Sequence, residues 1–169
     1  MQTEDLIAIW KVSITPDEKI LVGIMQSTLY NPVKIKTDLT RIVTFNLNTG
    51  KTKQYLYRQE KSNLSNSEIV ALSNTEFLVV ERDGKFSGAG IAQKRIYKID
   101  LSYATDVTGE DIKAVNGLLI NGKTIEESSW EEIKNAGIQP VSKILITDLV
   151  SKTGYPHDKL EGVWLTLGC

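Results

Sequence analysis

The stretch EFLVVERDGKFSGAGIAQKRIYKIDLSYATD, residues 76–106, decides the fold because it holds two strands around a glycine-rich, charged loop. Residues 77–80 are apolar and lead directly into three charged side chains at positions 81–83, which a buried strand tolerates only when they are paired. Residues 95–101 alternate between polar and apolar side chains, as a half-buried strand does. The sequence therefore predicts two antiparallel strands, the first of which ends at a solvated or ion-paired site.

On both sides of this stretch the sequence repeats one pattern, in which short strands are joined by tight turns. The turn Asn48–Lys51 (NTGK) is a typical hairpin signal. Strands linked by such short loops must be antiparallel, because parallel neighbours need long crossover connections. We therefore predict a single domain over residues 1–169 with two four-stranded meanders at residues 6–57 (strands 6–14, 20–25, 41–47 and 52–57) and 68–149 (strands 68–72, 77–80, 95–101 and 143–149).

An insertion at about residues 107–140 interrupts the second meander and contains the one predicted helix, at residues 125–135. Thr124 followed by Glu127 matches a capping box at its start, and Gly137 matches the residue that ends a helix. A third unit is predicted to start at residues 160–169.

Aligning the first strand of each unit places Trp10, Glu68 and Glu161 at equivalent positions (WKVSI, EIVAL and EGVWL). Four-stranded meanders that recur in this way are typical of a β-propeller, whose first strands converge on a central channel. A plain β-sandwich is the alternative, since two full repeats reveal neither the number of blades nor ring closure. An apolar strand begins near Met1 and another runs to the end, so we expect a piece of a longer domain with apolar residues exposed on a terminal sheet.

Composition excludes several classes of function. The chain has 20 basic and 21 acidic side chains and a net charge of −1, which argues against nucleic acid or an anionic membrane as the main partner. Cys169 is the only cysteine, so no internal disulfide can form, and His157 is the only histidine available to a catalytic triad. No apolar run approaches the roughly 18 residues of a membrane-spanning helix. The oligomeric state is left open.

Seven segments, in this order, resemble the phytase-like propeller family, which is described as having esterase-like activity: TPDEKILVGIMQSTL, RIVTFNLNTGKTKQYLYR, SEIVAL, FLVVERDG, KRIYKIDLSYATDV, KILITDL and YPHDKLEGV. The resemblance implies a secreted or periplasmic bacterial propeller that depends on calcium and hydrolyses small-molecule phosphoesters or other esters. One departure concerns the first unit, where the family reads like EGLAVSPDG. This chain has Trp10, Lys11 and VSITPDE there, so one strand-initial acid is missing.

Hydrolysis of a phosphate ester needs cations that neutralise the phosphate oxygens, and a propeller can supply calcium held by carboxylates from several blades. Calcium takes six to eight oxygen ligands, and arginine can bind an oxyanion through two parallel hydrogen bonds. The candidates are Glu68, Glu81 and Glu161 as metal ligands, Glu81, Arg82 and Glu161 as catalytic residues, and Lys94 and Arg95 as substrate-binding residues.

A structural interpretation of the same residues stays open. Glu81 and Arg82 can simply end a strand and pair with Lys94 or Arg95, and Lys94 then lies on a solvated strand face. The alternative function is a non-catalytic propeller that binds a ligand or a protein partner, which the missing acid at Trp10 favours.

Overall fold

The computed structural model describes residues 9–33, 35–109 and 117–164, but not the side chains of residues 9 and 10. The predicted equivalence of the Trp10 side chain with Glu68 and Glu161 therefore lies outside the described residues. The first sheet is a four-stranded meander in which each strand pairs antiparallel with the next one along the chain. Its strands are β1 (Ile9–Ile14), β2 (Ile20–Met25), β3 (Leu39–Asn46) and β4 (Thr52–Arg58).

The second sheet is again a four-stranded antiparallel meander, whose strands lie side by side in chain order. An insertion precedes its last strand, as the sequence predicts, and it contains a short hairpin that was not predicted. The strands of this part of the chain are β5 (Ser65–Ala71), β6 (Glu76–Arg82), β7 (Lys94–Asp100), the hairpin β8 (Leu119–Ile120) and β9 (Lys123–Thr124), and finally β10 (Ser142–Asp148). The all-β fold with two antiparallel meanders is confirmed.

The two sheets pack face to face because apolar side chains alternate along their strands. Their shared core contains Val22, Ile24, Ile42 and Tyr57 from the first sheet and Ile69, Phe77, Val79 and Ile99 from the second. The first strands lie side by side, and the Ala71 backbone N–H donates to Ser13 Oγ at 3.0 Å. This is how neighbouring propeller blades are arranged, although the described residues do not close a ring.

The other face of the first sheet carries exposed apolar side chains, as the sequence predicts for a terminal sheet. Ile14, Leu21 and Phe45 are in register across three strands, and each is exposed. Val12 lies two residues from Ile14 and is exposed as well.

The predicted helix is shorter than expected and begins later. The helix α1 (Trp130–Asn135) is opened by a capping box between Ser129 and Glu132. The predicted Thr124–Glu127 bonds do form, at 2.9 and 3.3 Å, but they close a turn. Glu126 within that turn binds Arg41 of the first sheet, which holds residues 124–128 in place and delays the helix. Gly137 follows the helix with a φ of 76°, a conformation that glycine adopts without strain.

The insertion packs on the edge of the first sheet around a second, smaller core of Leu39, Leu56, Val107, Ile120, Ile125, Ile133 and Ile138. The buried ion pair Arg41–Glu126, at 2.7 Å, fastens it there. The helix α2 (Leu149–Thr153) follows β10 and was not predicted. Residues 160–164 contain no strand, and residues 165–169 of the predicted third unit lie outside the described residues. No helix in the described part of the chain has the length and apolar character needed to cross a membrane.

Candidate functional site

The predicted site residues other than Glu68 fall into two groups at the C-terminal end of β6. Glu81 and Arg82 are neighbours in a strand, so their side chains lie on opposite faces of the sheet. Glu81 is directed toward the first sheet and Arg82 away from it. We name the two groups the Glu81 cluster (Tyr57, Glu60, Glu81, Arg95, Tyr97 and Lys143) and the Arg82 cluster (Arg82, Asp83, Lys94 and Glu161).

In the first group, Glu81 is completely buried and its carboxylate is fully bonded. The Tyr57 hydroxyl donates to Oε1 at 2.5 Å, and the Glu60 backbone N–H donates to Oε2 at 3.0 Å. Lys143 Nζ forms a direct ion pair with Oε1. A buried carboxylate is tolerated only with partners of this kind, so Glu81 joins β6 to the first sheet and to β10.

Lys143 belongs to this cluster, although the sequence analysis did not select it. Its ammonium lies 4.0 Å from the centre of the Tyr97 ring and 5.0 Å from that of Tyr57. Cations over aromatic faces are stabilised by the ring quadrupole, and Nζ also donates to the Arg58 carbonyl at 2.9 Å. One feature of the sequence could have indicated its role: Lys143 is the first residue of the apolar segment KILITDL, and a lysine in a buried strand needs an ionic or hydrogen-bonding partner.

The two tyrosines of the cluster keep their protons. Burial, followed by the charge of Glu81, raises the pKa of Tyr57 well above its ordinary value. Burial likewise raises the pKa of Tyr97, even though the neighbouring Arg95 acts in the opposite direction. Both hydroxyls are therefore protonated at neutral pH and are not nucleophiles, and that of Tyr57 donates to Glu81.

Arg95 is also on the face of Glu81. Its Nε donates to Asp148 Oδ2 at 2.9 Å, and this hydrogen bond is the main cause of the raised pKa of Arg95. The backbone register pairs Glu81 with Arg95 and Arg82 with Lys94, as the structural interpretation expected. The ionic partners differ, because Glu81 binds Lys143 whereas Arg82 binds Glu161.

In the second group, Arg82 and Glu161 come together although 79 positions separate them in sequence. Arg82 Nη2 donates to Glu161 Oε1 at 2.9 Å, and the side chain of Arg82 is 9% exposed while that of Glu161 is 42% exposed. The Ser67 hydroxyl donates to the Leu160 carbonyl at 2.5 Å and so holds the segment that carries Glu161 against β5. Arg82 Nε is buried and has no hydrogen-bond partner among the described residues.

Lys94 is buried rather than solvated, which corrects the structural interpretation. Its Nζ donates to Asp83 Oδ1 at 2.6 Å and to the Lys85 carbonyl at 3.0 Å. Burial opposes ionisation of Asp83, but hydrogen bonds from Lys94 and from the backbone of Gln93 and Lys85 together lower its pKa below the ordinary value. Lys94 thus holds the start of the glycine-rich loop beside Arg82.

The three predicted metal ligands lie apart and have separate cationic partners. Glu68 pairs with Val80 in the sheet, on the face opposite Glu81, and its Oε2 is 3.9 Å from Lys11 Nζ. Glu81 binds Lys143 and Glu161 binds Arg82. In residues 9–33, 35–109 and 117–164 no three side chains of the Asp, Glu, His and Cys types are grouped to hold a metal ion. These carboxylates do not fit a shared calcium site as they stand, and calcium stays a prediction.

Comparison with known proteins gives one match. No curated protein and no solved structure matches the chain. The phytase-like family, described as "Esterase-like activity of phytase", matches residues 11–168, which is nearly the whole sequence. This span includes all of both sheets except the first two residues of β1, together with the insertion and every candidate site residue. The chain therefore belongs to the phytase-like family.

Proposed function

We propose that this chain is a hydrolase domain acting on phosphate or other small-molecule esters, with the Arg82 cluster as its reaction site. Family membership supports esterase-like chemistry. The observation that carries the choice of site is the Arg82–Glu161 pair, in which a buried guanidinium with an unpaired Nε contacts a partly exposed carboxylate. A buried donor that lacks an acceptor is costly, at about 1–3 kcal/mol, so its retention is consistent with a ligand oxygen at this position.

The proposed reaction uses the two residues in different roles. Arg82 binds an oxygen of the phosphoryl or carbonyl group and stabilises the negative charge that grows there. Glu161 takes a proton from a water molecule while the water oxygen attacks the phosphorus or the carbonyl carbon. The bond to the leaving oxygen then breaks, and Glu161 returns the proton to the alcohol that is released. Lys94, the strand partner of Arg82, binds Asp83 and the Lys85 carbonyl and so holds the adjoining loop.

Calcium and a secreted or periplasmic location are proposed on the family resemblance alone. Of the predicted ligands, Glu161 has the most accessible carboxylate, with 42% of its side chain exposed. Calorimetric titration of calcium into the wild type and the Glu161→Gln variant tests its role. Weaker binding by the variant is expected, and equal affinity would remove Glu161 from the metal ligands.

The activity itself is tested by incubating the protein with p-nitrophenyl phosphate, p-nitrophenyl acetate and phytate, each with calcium chloride or with a chelator. We expect hydrolysis of at least one ester. The Arg82→Lys variant keeps the charge but loses Nε and the planar fork, so its kcat/KM should fall at least about tenfold. Glu131→Gln is the matched control, because Glu131 is exposed on α1. Equal activity of the Arg82→Lys and wild-type proteins would refute the site.

A non-catalytic binding module is the second candidate, and one observation favours it. Glu81, a predicted catalytic residue, is completely buried and bound to three donors, so in this arrangement it cannot reach a substrate. Ester or phosphate binding without turnover, at all calcium concentrations, would support this candidate over hydrolysis.

A further inference from the structure

We infer that Lys143, Arg95 and Tyr97 form a binding site for a small carboxylate monoanion, and that the side chain of Glu60 occupies this site loosely. The site lies on the opposite face of the second sheet from the Arg82 cluster. It does not depend on the proposed hydrolysis.

The position of Glu60 is the first observation. Its two carboxylate oxygens lie 3.6 Å from Lys143 Nζ and 4.0 Å from Arg95 Nη1. Hydrogen bonds between ions are about 2.7–2.9 Å long, so Glu60 lies between two cations without a close bond to either. Its backbone N–H is fixed by Glu81, whereas its side chain is 42% exposed. The carboxylate can therefore swing into solvent while the backbone stays in place.

The Tyr97 hydroxyl is the second, independent observation. Tyr97 is 2% exposed, and its hydroxyl oxygen makes no hydrogen bond of normal geometry with any residue in the described part of the chain. Burial raises the pKa of this hydroxyl while the adjacent Arg95 guanidinium lowers it. Lys143 Nζ lies 4.0 Å from the centre of the Tyr97 ring. A buried donor of this kind needs an acceptor, and a carboxylate oxygen between Lys143 and Arg95 would supply one.

The charge of the surrounding groups selects a monoanion. Without Glu60, the two cations Lys143 and Arg95 are balanced by Glu81 and Asp148, their ionic partners. The Glu60 carboxylate adds one negative charge between these cations, and a bound monoanion would take its place. A phosphate dianion would bring a second negative charge close to the carboxylates of Glu81 and Asp148 and would be repelled by them. These carboxylates cannot move away, because Glu81 is buried and Asp148 is bound to Arg95. The cations remain reachable, since their side chains are 31% exposed for Arg95 and 15% for Lys143.

Titration of sodium acetate into the full chain at constant ionic strength, followed by calorimetry or NMR, tests the inference. Glu60→Gln removes the competing carboxylate, so acetate should bind at least about tenfold more tightly than to the wild type. The double variant Glu60→Gln/Tyr97→Phe lacks the hydroxyl donor and should bind acetate about tenfold more weakly than Glu60→Gln does. Glu131→Gln is the charge-matched control and should bind acetate as the wild type does.

Three results would overturn the inference: equal acetate affinity in the wild type and Glu60→Gln, no loss on adding Tyr97→Phe, or tighter binding of inorganic phosphate than of acetate by Glu60→Gln. Tyr97→Phe keeps the ring under Lys143, so we expect this variant to fold, and circular dichroism would test that expectation. No turnover is measured, so failure of acetate binding is distinguishable from failure of the proposed hydrolysis.

Discussion

Replacing Glu81 with glutamine should destabilise the protein strongly, because the carboxylate joins both sheets. The variant loses the charge that pairs with Lys143 and weakens the bonds from Tyr57 and the Glu60 backbone. Breaking a buried ion pair costs about 3–5 kcal/mol. Lys143 is 15% exposed and keeps its bond to the Arg58 carbonyl, so we expect the lower end, about 3 kcal/mol.

For a chain of this length, 1 kcal/mol changes the Tm by about 2–4 °C, so Glu81→Gln should lower it by roughly 6–12 °C. Thermal unfolding followed by circular dichroism at pH 7 measures the change, and Glu131→Gln should stay within about 0.5 kcal/mol of the wild type. The double variant Glu81→Gln/Lys143→Met should lose less than the sum of the single losses, because the two residues share one interaction. A Tm within 2 °C of the wild type, or strictly additive losses, would refute the reasoning.

Three further predictions concern pH and capping. The pKa of Asp83 is lowered in the folded state, so its contribution to stability is present above about pH 4 and is lost as the pH falls through the folded pKa. Between pH 5 and pH 2.5, urea unfolding should therefore show a smaller loss of unfolding free energy for Asp83→Asn than for the wild type. The pKa of Tyr57 is raised, so its contribution is complete below about pH 10 and lost above it; Tyr57→Phe should reduce the decline in stability between pH 9 and 11, and an unchanged decline would contradict the assignment. Ser129→Ala removes the N-cap of α1 and should lower the free energy of unfolding, measured by thermal unfolding, by about 1 kcal/mol. An unchanged stability would show that the capping box does not form in solution.

Strand positions could be predicted because the sheets obey local rules. Alternation and tight turns place each strand of the two meanders within a few residues of its position in the structure. The helix was predicted too long because Glu126 is held by Arg41, a contact 85 positions away that no local pattern reveals. Tertiary contacts override local capping signals in this way.

The site could be predicted only in part. Charges at the end of β6 require partners, so the sequence correctly indicated a paired site at residues 81–83. Which partner each charge takes depends on the sheet face and on distant segments. Arg82 binds Glu161 and Glu81 binds Lys143, 79 and 62 positions away. The structural interpretation placed Lys94 in solvent because a lysine on a strand usually lies there. Its two acceptors, the Asp83 carboxylate and the Lys85 carbonyl, are set by the conformation of the following loop, which the sequence does not reveal.

The kcat of Glu161→Gln, on whichever ester the wild type hydrolyses best, tests the proposed reaction at the Arg82 cluster most directly. A general base contributes about 10²–10⁴-fold, so kcat should fall at least about 100-fold. The Tm should stay close to that of the wild type, because the Glu161 side chain is 42% exposed and glutamine can still accept from Arg82. A kcat equal to that of the wild type would contradict the proposed role of Glu161.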